Sequence, residues 1–146
     1  MTNSAVDILL VEDNADDVEL TLQAFESFQA AYHIHVVRDG AEALDFAFAR
    51  GAYAGRDMTA GPKVILLDLK LPLIDGLEVL RQLKADARTQ MTPVVVLTSS
   101  HEERDLVESY RLGANSYVVK PIDFEQFAIS ARQLGLYWLV LNESIP

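Results

Sequence analysis

Five short apolar runs, Ile8–Val11, Ile34–Val37, Val64–Leu67, Val94–Leu97 and Tyr117–Val119, alternate with stretches of helical spacing. Several of the runs are β-branched and continuous, as strands buried on both faces of a parallel sheet must be. Parallel neighbours need a crossover between them, and helical segments stand in those four places, Ala15–Phe28, Ala41–Ala49, Leu77–Ala85 and Glu102–Leu112, with a fifth, Asp123–Leu141, after the last run. In the first, Val18, Leu22 and Phe25 form an i, i+4, i+7 stripe behind Asn14, a suitable N-cap. Gly51 and Gly113 are placed to stop helices, and Arg38–Asp39 before Gly40 to form a turn and cap. Strict alternation of this kind predicts a right-handed, three-layer α/β sandwich. The 146 residues suit one domain, without internal repeat or linker. The longest loop, Gly51–Pro62, carries three glycines and a proline and reads equally as an ordered insertion or a mobile flap.

Composition narrows the function. With 22 acidic residues against 12 basic ones, the net charge is −10, which argues against nucleic-acid binding and against an anionic membrane surface. The absence of cysteine excludes disulfides, thiolate nucleophiles and Cys-ligated metals. No apolar run approaches the roughly 20 residues of a membrane span, and Met1–Ala5 does not resemble an export signal. A soluble, cytoplasmic protein is expected. The acidity is uneven: seven carboxylates and no Lys or Arg precede Arg38. Asp16 and Asp17 fit a solvated first helical turn, whereas Glu12 and Asp13 end an apolar run.

In open α/β sheets, ligands bind beyond the carboxyl ends of the strands. The runs deliver to that edge Glu12 and Asp13, then Arg38 and Asp39, then Asp68, then Thr98, Ser99 and Ser100, and finally Lys120 and Pro121. Clustered carboxylates repel one another, and a hard divalent cation such as Mg²⁺ relieves the repulsion through oxygen ligands and retained waters. Among such neighbours Asp68 suits a nucleophilic or metal-binding role, because a carboxylate can attack phosphorus to give an acyl phosphate. Metal, Lys120 and the Thr98 hydroxyl would then offset charge on the phosphoryl oxygens. His33 and His35 lack an evident third ligand and read as partly exposed strand residues; His101 reads as surface.

The stretches Ile8-Leu-Leu-Val-Glu-Asp-Asn14, Leu67-Asp-Leu-Lys-Leu-Pro-Leu-Ile-Asp-Gly76, Val96-Leu-Thr-Ser-Ser100 and Gly113-Ala-Asn-Ser-Tyr-Val-Val-Lys-Pro121 resemble the receiver domain of two-component response regulators. The resemblance implies a flavodoxin-like (βα)₅ fold with sheet order 2-1-3-4-5. It implies that Asp68 accepts phosphate from a histidine of a sensor kinase. Asp13, Asp68 and the backbone carbonyl of Lys70 would bind Mg²⁺, and Glu12 would act mainly through metal-bound water. Lys120, before a cis peptide to Pro121, would pair with the phosphoryl group. Thr98 and Tyr117 match the family's switch pair. Lys70 and Ser100 stand where the family tunes phosphate lifetime, and Leu71 and Ile74 replace the methionines common in the loop after Asp68.

A receiver core over about residues 6–133, followed by a helical extension over about 134–146, leaves no room for an effector domain. The expected output is therefore a protein contact or a further phosphotransfer. At about 100° per residue, Phe124, Phe127, Ala131, Leu134, Trp138 and Leu141 form the core face of the last helix. Ile129, Leu136 and Val140, with Tyr137 near one edge, lie on the other side, where a surface helix is normally polar. This second stripe predicts a homodimer or partner face, unless the Gly51–Pro62 loop or the C-terminal tail covers it. The Asp-Asn-Ala-Asp-Asp start, the long loop and the Leu-Gly-Leu-Tyr-Trp end are most similar to single-domain regulators associated with phytochrome kinases. Two rival readings remain, the first sharing the fold and the second a strand-end Asp nucleophile. A flavodoxin-like FMN carrier would meet repulsion between its phosphate and Glu12–Asp13. A haloacid-dehalogenase-like phosphatase would need an Asp where Lys70 stands. A receiver that signals without phosphate is a further alternative, against which the complete rim argues.

Overall fold

The computed structural model describes residues 6–26, 33–99, 103–120 and 123–133. The elements run β1 (Ile8–Val11), α1 (Ala15–Glu26), β2 (Ile34–Val37), α2 (Gly40–Ala47), two 3₁₀ turns (Gly51–Tyr53 and Met58–Ala60), β3 (Val64–Leu67), α3 (Gly76–Ala85), β4 (Val94–Thr98), α4 (Glu103–Arg111), β5 (Ser116–Val119) and α5 (Phe124–Gln133). All five strands pair in parallel in the order β2-β1-β3-β4-β5. This is the flavodoxin-like arrangement.

Both faces of the sheet are buried, so the two-residue period of each strand feeds two separate cores. Ile8 and Leu10 of β1 point to one side and pack with Val18, Phe25, Phe127 and Ala128 of α1 and α5. Leu9 and Val11 point to the other and pack with Leu44, Phe46, Val79 and Leu80 of α2 and α3. The rings of Phe25 and Phe127 meet edge-on at 5.1 Å between centroids, which joins α1 to α5. Burial on both faces explains why the strands read as unbroken apolar runs.

Helix starts follow local side-chain chemistry. The Asn14 side chain accepts from the Asp17 N–H at 3.0 Å, Asp39 from the Glu42 N–H at 2.7 Å and Asp75 from the Glu78 N–H at 2.9 Å. The Asp39 cap sets α2 one residue earlier than the sequence pattern suggests, at Gly40. A Cβ on Gly40 would lie 1.9 Å from the Ile74 carbonyl oxygen, so only glycine fits there. Gly113 follows α4 with a φ of 107°, in keeping with a helix stop. Gly51 does not stop α2: that helix ends at Ala47, Ala49 takes the left-handed conformation, and Gly51 opens the first 3₁₀ turn.

The Gly51–Pro62 segment is an ordered insertion packed on α2. The Tyr53 hydroxyl donates to Glu42 Oε2 at 2.7 Å and lies 3.0 Å from His35 Nε2. The Arg56 guanidinium caps the C-terminus of α2 through the Phe46 and Ala47 carbonyls, at 2.8 and 3.2 Å. The segment therefore sits across the sheet from α5 and does not cover it. His35 stacks on Phe46 at 4.7 Å, and burial lowers its pKa. Among the described residues, no cluster of metal-ligating side chains includes either His33 or His35. The helical extension, with Leu134, Leu136, Tyr137, Trp138, Val140 and Leu141, lies outside the described residues, as do Ser100, His101 and Pro121.

Candidate functional site

The sheet order places β1 between β2 and β3, so the connections leaving β1 and β3 diverge at their carboxyl ends. That crevice is where an open α/β sheet binds its ligand. Glu12 and Asp13 enter it from β1 and Asp68 from β3. The Glu12 N–H continues the ladder to the Val37 carbonyl, and the Asp68 N–H to the Val11 carbonyl, each at 3.0 Å. Both side chains are buried. Asp13 faces solvent, and its carbonyl accepts from the Arg38 guanidinium at 3.2 Å.

One oxygen each from Glu12, Asp13 and Asp68 lies within 4.8 Å of the others. Three hard oxygen donors at this spacing fit a small divalent cation, and the exposed Asp13 side leaves room for its waters. Asp68 Oδ1 accepts from the Lys70 N–H at 3.2 Å. The Lys70 side chain is exposed. The backbone behind Asp68 is clamped by α3: the Gly76 N–H bonds to the Leu69 carbonyl at 2.9 Å. A Cβ on Gly76 would lie 2.4 Å from the Asp68 carbonyl oxygen and 2.5 Å from Leu69 Cα, so glycine is required. Between them Leu73, 80% exposed, adopts a φ of 69°.

From the end of β5, the Lys120 ammonium reaches Glu12 Oε1 at 2.6 Å, Asp17 Oδ2 at 2.7 Å and Asp68 Oδ2 at 3.3 Å. Burial pushes the Glu12 carboxyl up to about 7; the Lys120 bond opposes this shift and the neighbouring Asp68 adds to it. Burial also works against the Lys120 charge, but the hydrogen bonds to Asp17 and Glu12 outweigh it and hold the ammonium above the usual lysine range. Asp17 is the residue that sequence reasoning missed. It reads as a solvated first-turn acid, yet it is one of the two short partners of the site lysine.

The backbone of Thr98 ends β4 beside Val119. Tyr117 is half-buried and packs with the core beneath α2 and α3. Residues 8–132 match the response regulator receiver domain model. The chain belongs to the response regulator receiver family.

This receiver is 42% identical over 137 residues to the probable methanogenesis regulatory protein FilR2 of Methanothrix harundinacea, covering 94% of this chain and 86% of that one. It is 36% identical to the response regulator Rcp1 of Synechocystis, over 90% and 88% of the two chains. The Mn²⁺-bound structure of Rcp1 superposes with a TM-score of 0.76, covering 97% of each chain at 34% identity. The bacteriophytochrome response regulator AtBRR superposes with a TM-score of 0.81 at 52% identity, over 91% and 94% of the two chains. Receivers are phosphoacceptor switches served by sensor histidine kinases, and they bind Mg²⁺ or Mn²⁺ at their acidic pocket. The FMN-carrier and phosphatase readings find no support in these similarities. Among the described residues no helix is long and apolar enough to cross a membrane.

Proposed function

We propose that Asp68 is the phosphoacceptor of this receiver, taking its phosphoryl group from a histidine of a sensor kinase. The reading is carried by the position of Asp68: a buried carboxylate 3.3 Å from the Lys120 ammonium and beside the Glu12 and Asp13 oxygens. A carboxylate oxygen of Asp68 attacks phosphorus, the nitrogen–phosphorus bond breaks, and the departing imidazole keeps the electron pair. The Lys120 ammonium offsets negative charge on the phosphoryl oxygens, and burial of the site strengthens that attraction.

Asp13, Asp68 and the Lys70 carbonyl would hold Mg²⁺, and Glu12 would act mainly through water. When bound, the cation neutralises the carboxylate cluster and the incoming phosphoryl charge. Thr98 moves to the phosphoryl group and Tyr117 turns inward behind it, which passes the state to the α4–β5–α5 surface. Lys70 and Ser100 tune the phosphate lifetime. The similarity to AtBRR supports a phytochrome as the kinase. The exposed Ile129 on α5 supports a homodimer or partner contact there, with output through protein contact or further phosphotransfer. The acidic charge supports a protein that binds neither nucleic acid nor an anionic membrane, and the lack of cysteine is in keeping with the cytoplasm.

Incubation with acetyl phosphate, with and without Mg²⁺, followed by intact mass tests the central step. One added phosphate is expected, lost on chelation and in Asp68→Ala. Phosphate retained by Asp68→Ala overturns the assignment.

A further inference from the structure

Asp17 occupies the third position of α1, where an acidic side chain ordinarily turns back to satisfy the N–H of the capping residue. Here that N–H, of Asn14, is taken by Glu12 Oε2 at 3.2 Å. Asp17 is thereby released from capping, and its carboxylate instead sits 2.7 Å from Lys120 Nζ. An ammonium has three donors. Lys120 commits them to Glu12, Asp17 and Asp68, with the Asp68 bond the longest at 3.3 Å.

A phosphoryl group on Asp68 places its oxygens one phosphorus–oxygen bond beyond the carboxylate, so Nζ must move outward to meet them. The two short bonds resist that movement. They are not equally replaceable. The Glu12 side chain is 2% exposed, and losing the ammonium would strand a buried carboxylate. The Asp17 side chain is 31% exposed, so water takes over its lost hydrogen bond. Asp17 is therefore the partner that gives way.

We propose that Asp17 is a positioning residue that competes with the phosphoryl group for the Lys120 ammonium, and so sets how readily the phosphorylated state forms. The inference rests on Asp68 being the phosphoacceptor. Its consequence is a resting state in which the site lysine is held back by a residue outside the metal cluster.

Beryllium fluoride with Mg²⁺, a mimic of the phosphoryl group on a carboxylate, reads this competition as an equilibrium. Fluorine NMR titration of the full chain gives the affinity. Asp17→Asn should bind about fivefold more tightly than wild type, the size of a partly exposed charge pair. Asp16→Asn makes the same charge change one residue away on an exposed side chain and should shift affinity by less than about twofold. Asp17→Glu, which restores a carboxylate, should bind more weakly than Asp17→Asn. In Lys120→Ala the Asp17→Asn gain should vanish, because the coupling runs through the lysine. Unchanged or weaker binding by Asp17→Asn, an equal gain from Asp16→Asn, or a gain that survives in Lys120→Ala overturns the competition. Wild type that fails to take up beryllium fluoride, or takes it up equally as Asp68→Ala, removes the phosphoacceptor reading and this inference with it.

Discussion

Lys120 and Glu12 stand 108 positions apart in the chain, yet Nζ and Oε1 are 2.6 Å apart and both side chains are nearly sealed from water. The pair ties the last strand of the sheet to the first across the carboxyl edge. Removing one partner of a buried pair leaves the other unpaired, which costs more than replacing both.

Lys120→Ala should accordingly destabilise the fold by about 3 kcal/mol. Adding Glu12→Gln, which removes the stranded charge, should recover part of that loss. Urea denaturation of the two single variants and the double variant closes the cycle; a strictly additive result would show that the pair is not coupled.

Gly76→Ala forces a methyl group against the backbone of Asp68 and Leu69, which cannot yield as a flexible side chain would. A loss of about 1–3 kcal/mol is expected, together with slower acetyl phosphate labelling because the Asp68 backbone is displaced. Thermal melting and labelling rate check the two effects separately.

Stability should fall with pH through His35. Burial against Phe46 and Tyr53 lowers its folded pKa below the ordinary 6.5, with Glu42 opposing the shift. The unfolded chain then binds the proton first, so this contribution is present above about pH 6.5 and is lost as pH falls through the folded value. His35→Gln should flatten the dependence of the urea midpoint on pH in that range. An unaltered slope would remove His35 as its source.

Ile129 is 53% exposed on α5, on the side facing away from Phe127. Ile129→Glu, and Leu136→Glu or Val140→Glu further along the sequence, should lower the sedimenting mass to that of a monomer while leaving acetyl phosphate labelling intact. A mass that does not change in any of the three sinks the dimer face.

Much of this was legible in the linear chain because it depends on local rules. Continuous apolar runs mark strands covered on both faces, and Asn14 and Asp39 cap helices with their own side chains. Parallel strands put their carboxyl ends on one edge, so Glu12, Asp13, Asp68 and Lys120 had to share a rim. One local reading failed for an equally local reason. Gly51 was expected to stop α2, but the helix ends at Ala47 and the chain already turns left-handed at Ala49, two residues before Gly51 does the same, because the following 3₁₀ turn and the Arg56 cap hold the chain against the end of α2.

Asp17 shows what local rules do not reach. By sequence alone it is a first-turn acid like Asp16, and nothing in its neighbours separates the two. The distinction comes from the seating of α1 on β1, which turns Asp17 toward the end of β5 and leaves Asp16 in solvent. The sequence by itself determined the sheet, its carboxyl rim and the chemistry of the residues on it. Only the tertiary structure decided which carboxylates Lys120 would hold, since that choice rests on the seating of elements 103 residues apart in the chain.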